Sequence, residues 1–544
     1  MHKFIELASI ILSKDMKNKA IYIFLLLIST LISINVSAQS ADIILINGKI
    51  FTSNSTQLYV QALAIKGNKI IAAGSNGSIE KTASAKTKKI DLDGKTVIPG
   101  LNDAHDHPGF LSPVSKSFSS EFSIAGPSKK NVIDSVIRLV KKAKPGEWIS
   151  GLTGMTVFTD SSMRNVLDSL APNNPVQLQN MWGHGIVLNS YALKMLGIAD
   201  DEPDPLGGWY VRKSGSKLIT GAMYEYAQWP VWLALSAAEP DHLIEGLRLY
   251  SNEQIKMGIT TVQFMNFDFP TSAPYYIKAN LSQRIRIIPF PGTIKNKRNL
   301  NEWKNINTHP TPLIYVSGIK YIIDGTPFEE ASLGRQHYPG KPNWYGRTDM
   351  PVDTIKQILR EAYNSHTQLM MHIVGDSTIS LVLSLMKQMG NDDVWKSKRI
   401  RFEHNSSGNA TSEEIQKIHD MGIIMAHTPK YGQGSHIQSF LDKGIIVSVS
   451  PDGTTNPFWD IMVMTSQQTD SKENTTIEKA VIAYTKTNAY AEFTEKEKGT
   501  LMPGMVADLV VLSQDIFSIL KEQLPATKSV LTIINGKIVY QKIY

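Results

Sequence analysis

A chain of 544 residues with 42% apolar and 19% charged content has the composition of a folded protein, neither disordered nor fibrous. Its length exceeds one ordinary core, so a large unit with a smaller companion is expected. The formal charge of +7 is spread without a long basic block, which argues against a nucleic-acid partner. Cysteine is absent, which removes disulfides, thiol nucleophiles, thiolate metal ligands and lipid attachment through an N-terminal cysteine.

Residues 1–38 read as an export signal. Lysines precede the apolar run Ile21–Ile28, and small residues close it at Val36-Ser37-Ala38. Cleavage after Ala38 makes Gln39 the first mature residue. The run is shorter than the roughly 20 residues that a membrane span needs. A cleaved signal is therefore expected rather than a retained anchor, with a periplasmic or secreted product and no stable membrane insertion.

Strand-like runs follow at 42–52, 58–73 and 89–98. The first contains Ile46-Asn47-Gly48-Lys49-Ile50, and the same pentad recurs as Ile534-Asn535-Gly536-Lys537-Ile538 among the runs 507–512 and 529–540. Asn-Gly between β-prone residues signals a tight hairpin, because both turn positions require positive φ. The echo predicts a small β-sandwich domain assembled from both termini, residues 39–98 and 497–544. The segment between them is then an insertion whose ends lie close together.

That segment, 99–496, alternates apolar strands with amphipathic helices. Strands are expected at 175–180, 260–265, 313–323, 368–372, 400–404, 422–426 and 444–449, and helices at 240–257, 353–365, 377–389 and 412–421. With the strand that runs into His105, the alternation predicts an α/β fold, a (β/α)8 TIM-type barrel with its chemistry at the C-terminal strand ends. The long stretch 108–174 and the irregular, Gly- and Pro-rich 195–225 are expected as lid insertions. Trp182, Trp209 and Trp344 fall in the expected mouth loops, where packing and pocket-lining are both open.

His105 and His107 are spaced i, i+2, which puts both imidazoles on one face of a strand. Two neutral imidazoles aimed at one point suit a divalent transition metal. Such a pair is common by chance, but His372, His404 and Asp452 also close predicted strands. In a parallel barrel those ends converge, so three or four imidazoles plus a carboxylate form a coordination set for zinc or a similar ion. Taken singly, each histidine reads as a hydrogen-bonded core residue. Lys320 lies in the apolar run 313–323, where a lone ammonium costs several kcal/mol unless paired. Two readings stand: pairing with Asp324 or another nearby acid, or reaction with carbon dioxide to give a carbamate that bridges two metals.

The run from Gly94 through Pro99-Gly100 to Ala104-His105-Asp106-His107 resembles the amidohydrolase superfamily. So do His372-Ile373-Val374-Gly375-Asp376, Arg401-Phe402-Glu403-His404 and the closing run from Lys498-Gly499-Thr500 to Ala507-Asp508-Leu509. Gly183-His184, Gly207-Gly208, Thr220–Glu225 and Lys320…Asp324-Gly325 are similar to the family 3 branch that includes the N-substituted formamide deformylases. The resemblance covers essentially the whole mature length. It implies His105 and His107 as ligands from strand one, Lys320 from strand four, His372 and His404 from strands five and six, and Asp452 from strand eight. Two departures stand out. Ser450-Pro451-Asp452 replaces the usual small residue–Ser–Asp run, leaving the pose of Asp452 open, and Ala426-His427-Thr428-Pro429 replaces the usual Gln-Pro at strand seven.

The implied reaction is hydrolysis of an amide, formamide or cyclic amide C–N bond in a small molecule. One or two metal ions, zinc foremost, would lower the pKa of a bound water from about 15.7 to about 7, and the hydroxide would attack the carbonyl. Asp452 is the candidate general base and then acid. His184 is a candidate for polarising the carbonyl, with a structural place near strand two as the alternative. Glu225 reads as a substrate contact or a surface acid, and His427, with Lys430, as a substrate contact or ordinary loop. The same site would suit an esterase, lactonase or phosphotriesterase, or a metal-holding binding protein without turnover. Substrate side chains and homo-oligomerisation are left open, because loops and surfaces set them.

Overall fold

Strands from the two ends of the chain pair with one another. The computed structural model describes residues 40–107, 113–119, 126–269, 271–294, 296–300, 306–404, 410–429, 436–453 and 456–542. The expected export signal and Lys430 lie outside these residues. In a six-stranded sheet, Leu509–Leu512 runs antiparallel to Thr96–Pro99, with Val510 opposite Ile98. Thr96–Pro99 in turn runs parallel to Lys49–Phe51. A four-stranded sheet of Ile43–Ile46, Ala62–Lys66, Lys69–Gly74 and Lys88–Asp91 packs against it. Leu45, Leu63 and Ile70 of the smaller sheet share one buried cluster with Ile50, Val97, Leu509 and Ile533 of the larger.

The two Asn-Gly pairs behave differently. Asn535 and Gly536 both adopt positive φ (54° and 74°) and join Ser529–Ile534 to Lys537–Gln541 as a hairpin. Asn47-Gly48 does not form the expected hairpin. Only Asn47 has positive φ, and the strands on either side belong to different sheets. Gly48 leaves room for a neighbour: a Cβ there would meet Leu92 Cδ1 at 2.4 Å, so the Leu92 side chain would have to shift.

Between the paired ends lie two parallel sheets. One orders Leu101–Asp106, Ile259–Asn266, Arg284–Pro289 and Ile314–Val316; the other orders Ile319–Ile322, Leu369–His372, Arg401–Glu403, Ile424–His427 and Val447–Val449. Only Ser317 and Gly318 separate Ile314–Val316 from Ile319–Ile322, and Gly318 turns the chain with φ 80°. At the opposite edges, the Asn488 side chain donates to Asn102 O (2.6 Å) and Val449 O (2.7 Å), clasping the first strand to the last. Its Oδ1 accepts from Val449 N and the Ser448 hydroxyl. The helices Val352–Asn364, Asp376–Met389 and Ser412–Asp420 follow their strands as the apolar spacing predicts. The last of these opens on a capping box of Thr411 and Glu414.

One predicted central strand is misplaced and another was missed. Val176–Asn180 belongs to a separate six-stranded sheet, together with Ser117–Phe118, Ile149–Thr153, Gly185–Leu188, Gly208–Arg212 and Ile219–Glu225. Its Val-Gln-Leu-Gln alternation is that of a sheet with two unlike faces, not of a strand buried on both. The stretch 195–225, expected to be irregular, supplies two of this sheet's strands. Arg284–Pro289 was missed because Arg286 interrupts its apolar pattern. That guanidinium is buried and satisfied by Ser317, Gln263 and Gln368. Among the described residues no helix is long and apolar enough to cross a membrane.

Asn488 makes four buried hydrogen bonds that no hydrophobic residue replaces. Asn488→Ala is expected to lower the unfolding free energy by roughly 2–4 kcal/mol in denaturant titration, the scale of stranded buried donors and acceptors. A loss below about 0.5 kcal/mol, within the range of an ordinary surface change, would show that the clasp contributes little.

Candidate active site and metal centre

Alternation along Leu101–Asp106 sends His105 inward, where it is buried among three other strand ends. Its Nδ1 lies 2.6 Å from Glu403 Oε2, and its Nε2 lies 3.1 Å from His107 Nε2 and 3.0 Å from Lys320 Nζ. The Glu403 carboxylate faces the imidazole from the strand Arg401–Glu403 and pairs on its other side with Arg401 Nε at 2.7 Å. Arg401 is fully buried and donates further to Gln263 Oε1 and Ala104 O. Asp452 closes the ring: its Oδ1 is 3.8 Å from His105 Nε2 and 3.6 Å from His107 Nε2, and its Oδ2 is 3.5 Å from His404 Nδ1. One ligand atom each from His105, His107 and Asp452 all lie within 4.8 Å of one another. The ring of His404 sits 4.4 Å from that of His105 and 4.5 Å from that of His372.

Burial holds the imidazoles of His105, His107, His372 and His404 well below the usual histidine range, so they stand as neutral donors. Burial also pulls the Lys320 amine down to about 8 against the pull of Glu403 and Asp452, and pushes the Asp452 carboxyl up to about 7 against that of Lys320. His372 Nε2 is buried without a hydrogen-bond partner. Neutral nitrogens converging on a carboxylate, one of them unsatisfied, fit a divalent cation of the zinc type. His404 and Asp452 hold positive φ (61° and 48°), a backbone strain of about 1–3 kcal/mol each of the kind found at functional sites.

The sequence profile of the amidohydrolase family matches residues 88–540. The chain belongs to the amidohydrolase family. Protein LONG AFTER FAR-RED 3 of Arabidopsis thaliana is 27% identical to this amidohydrolase over 92% of each chain. N-substituted formamide deformylase of Arthrobacter pascens is 24% identical over 93% of this chain and 99% of its own. A metal-dependent hydrolase of Pyrococcus furiosus aligns over 88% of this chain and 100% of its own with a TM-score of 0.66 at 19% identity, a likeness of fold. This amidohydrolase is accordingly a metal-dependent hydrolase acting on carbon–nitrogen bonds other than peptide bonds.

The remaining candidates are placed unevenly around the amidohydrolase cavity, which has a volume of about 400 Å³. His107, His184, Lys320, His372, His404 and Asp452 line it. His184 comes from the inserted sheet, between Val176–Asn180 and Gly185–Leu188, and not from the second central strand. Its ring lies 4.6 Å from that of His372. Glu225 is not a surface acid: it is fully buried, and its Oε1 lies 2.8 Å from His184 Nδ1. Its backbone adopts φ 50° and ψ −129°, a sparsely populated conformation that turns the chain out of Ile219–Glu225.

His427 ends its strand buried, 6.0 Å from the ring of Phe440, and does not line the cavity. Trp182 lines the cavity and stacks on Phe328; Trp209 stacks on Tyr224, and Trp344 is partly exposed. Lys320 does not pair with Asp324. That carboxylate instead accepts from the backbone of Val374 and Gly375 and from the Thr378 hydroxyl, tying the end of Ile319–Ile322 to the turn after His372. Sequence reasoning gave Glu403, Arg401 and Gln263 no role, although two charged residues at i, i+2 on an otherwise apolar strand were a readable sign of a buried pair.

Arg401→Leu leaves Glu403 as an uncompensated buried charge and is expected to cost about 3–5 kcal/mol of unfolding free energy in denaturant titration. The double variant Arg401→Leu/Glu403→Leu is expected to recover part of that loss. A double variant no more stable than the single would show that the pair's charges are not what matters.

Proposed function

We propose that this amidohydrolase is exported and hydrolyses the C–N bond of an amide or N-substituted formamide at a zinc site. The arrangement that carries the reading is the convergence of His105, His107 and Asp452 at parallel strand ends, with His372, His404 and Lys320 around them. In the same reading the two parallel sheets are halves of one eight-stranded barrel, with 314–322 as a single interrupted strand. The paired ends of the chain form a β-sandwich from 39–98 and 497–544. The barrel unit covers 99–496, and 1–38 is a cleaved signal.

His105, His107, Lys320, His372, His404 and Asp452 would hold one or two cations. When bound, a divalent ion supplies an acidified water and a positive pole for the substrate's carbonyl oxygen. Glu403 keeps the His105 ring oriented through Nδ1 and leaves Nε2 for the metal. Asp452 takes the proton of the attacking water as the new C–O bond forms. It returns that proton to nitrogen as the C–N bond breaks, leaving a carboxylic acid and an amine. Burial pushes the Glu225 carboxyl well above the usual range, so it keeps its proton and donates it to His184 Nδ1, which leaves Nε2–H to donate to the carbonyl oxygen. The Lys320 amine, drawn toward neutrality by burial, would add to carbon dioxide with loss of a proton, and the carbamate would offer an anionic oxygen ligand to the cation site.

Elemental analysis of protein purified without chelator and with bicarbonate is expected to find one or two zinc equivalents per chain, two if Lys320 is a carbamate. Lys320→Ala is expected to lose about one of them; unchanged content would leave Lys320 as an ion-pairing cation. Asp452→Asn is expected to lower kcat on an amide substrate by about 10²–10⁴-fold with the circular dichroism spectrum intact. A variant that turns over at the wild-type rate would remove Asp452 from proton transfer, and a protein that takes up no metal would overturn the reading.

A further inference from the structure

Asp106 stands between the two histidines that open the cluster, but its side chain points to a different part of the fold. Asp103 pairs with Val262 and Asp106 with Phe264, three steps against two, so the first central strand bulges there. The Asp106 carboxylate is fully buried and meets the helix Pro240–Lys256. Four donors among the described residues converge on it. The Tyr250 hydroxyl and Gln254 Nε2, four residues apart on one face of that helix, both donate to Oδ2, the second at 2.9 Å. His107 N–H donates to Oδ1 at 2.7 Å. The fourth donor is the N–H of Gly453, the residue that follows Asp452.

Gly453 belongs to the turn that carries Asp452 over the histidines. Ser450 N–H still donates to His427 O, at 3.0 Å, but Pro451 has no N–H with which to continue the pairing. Asp452 and Gly453 then both adopt positive φ, 48° and 89°. An aspartate is strained in that conformation and stays there only where neighbouring contacts hold it. The Asp106 carboxylate supplies such a contact, a charge-assisted hydrogen bond to the amide directly after the strained residue. At the other end of Asp452, Oδ1 lies 3.6 Å from His107 Nε2 and Oδ2 lies 3.5 Å from His404 Nδ1.

We propose that Asp106 is a positioning residue: by holding Gly453 N–H, braced by Tyr250 and Gln254, it sets the Asp452 carboxylate against His107 and His404. The inference rests on the reading of Asp452 as a ligand and proton carrier at a zinc site. Asp106 acts through Asp452 and not on a cation or substrate. The competing role is a plain tie between strand and helix, which would support the fold and His107 without passing through Asp452.

A double-variant cycle separates the two roles, read as the equilibrium partition of zinc between the holoenzyme and a chromophoric chelator. Asp106→Asn keeps the size of the side chain, and the new amide can donate to Gln254 Oε1, which is buried without a partner. The variant is expected to weaken zinc binding by about 10–100-fold, the usual cost of losing a group that orients a ligand. Asp452→Gly removes the positioned carboxylate and tolerates the left-handed backbone. In that background Asp106→Asn is expected to add less than about twofold, because the group it positions is gone. Tyr250→Phe takes only the phenol O–H from Asp106. It is expected to weaken zinc binding by a smaller factor, again only while Asp452 is present, and it carries the cycle if Asp106→Asn does not fold. Additive losses would overturn the proposal and leave Asp452 as a ligand. Wild-type zinc binding by Asp106→Asn would overturn it as well. Wild-type zinc binding by Asp452→Gly would sink the reading of Asp452 as a ligand, and the proposal with it.

Discussion

Arg401 and Glu403 sit inside the central sheets with no exposure to solvent, and each depends on the other. An ion taken out of water costs several kcal/mol, which one salt-bridge contact does not return without further hydrogen bonds. Here those bonds exist. The spare donors of Arg401 go to Gln263 and to the carbonyl of Ala104, and the second oxygen of Glu403 goes to His105. Gln263 continues the chain to Arg286 and Asn102, and Asn102 donates to Glu492, which pairs with Lys498. A polar column thus runs among the central strands from Lys498 and Glu492 to the first histidine of the site. Around it, the aliphatic faces of the same strands pack against the helices.

That column fixes the orientation of the first histidine. His105 is held from behind by a carboxylate that is itself held, so its Nε2 has one direction in which to point. Lys320 and Asp452 approach from other strand ends and complete a cluster whose histidines are kept neutral by burial. The strained backbones of His404, Asp452 and Glu225 lie in and around the same region, and the packed strands keep them there.

The front of the cavity comes from elsewhere. A six-stranded sheet inserted after the first central strand brings His184, Gln177 and Gln179 over the strand ends, and Glu225 from the same sheet locks His184. The back is therefore built by the central parallel strands, and part of the front by inserted elements. A division of this kind lets one reaction serve many substrates.

Much of this was legible residue by residue. The i, i+2 spacing of His105 and His107, the histidines ending apolar runs at 372 and 404, and Asp452 after Val447–Val449 identified the cluster, because strand periodicity and strand-end position are local properties of a sequence. The pairing of the chain's two ends was readable from a repeated pentad, even though only its second copy is a hairpin. What stayed open or failed were positions where a polar side chain is satisfied from a distance. Arg286 hid a central strand because Ser317, Gln263 and Gln368 are remote in sequence, the choice for Glu225 between substrate contact and surface acid missed its partner His184, 41 residues away, and of the acids open to Lys320 the near neighbour Asp324 is turned elsewhere while Lys320 faces His105.

Sequence by itself determined the chemistry on offer: which residues can hold a metal, which strands carry them, and that no thiol takes part. Tertiary structure alone decided which carboxylate faces which histidine, which sheet Val176–Asn180 joins, and what lines the cavity. The physical reason is range. Backbone periodicity acts over a few residues and is written in the order of the chain, whereas the partner of a buried charge is chosen by desolvation among all groups that folding brings within reach.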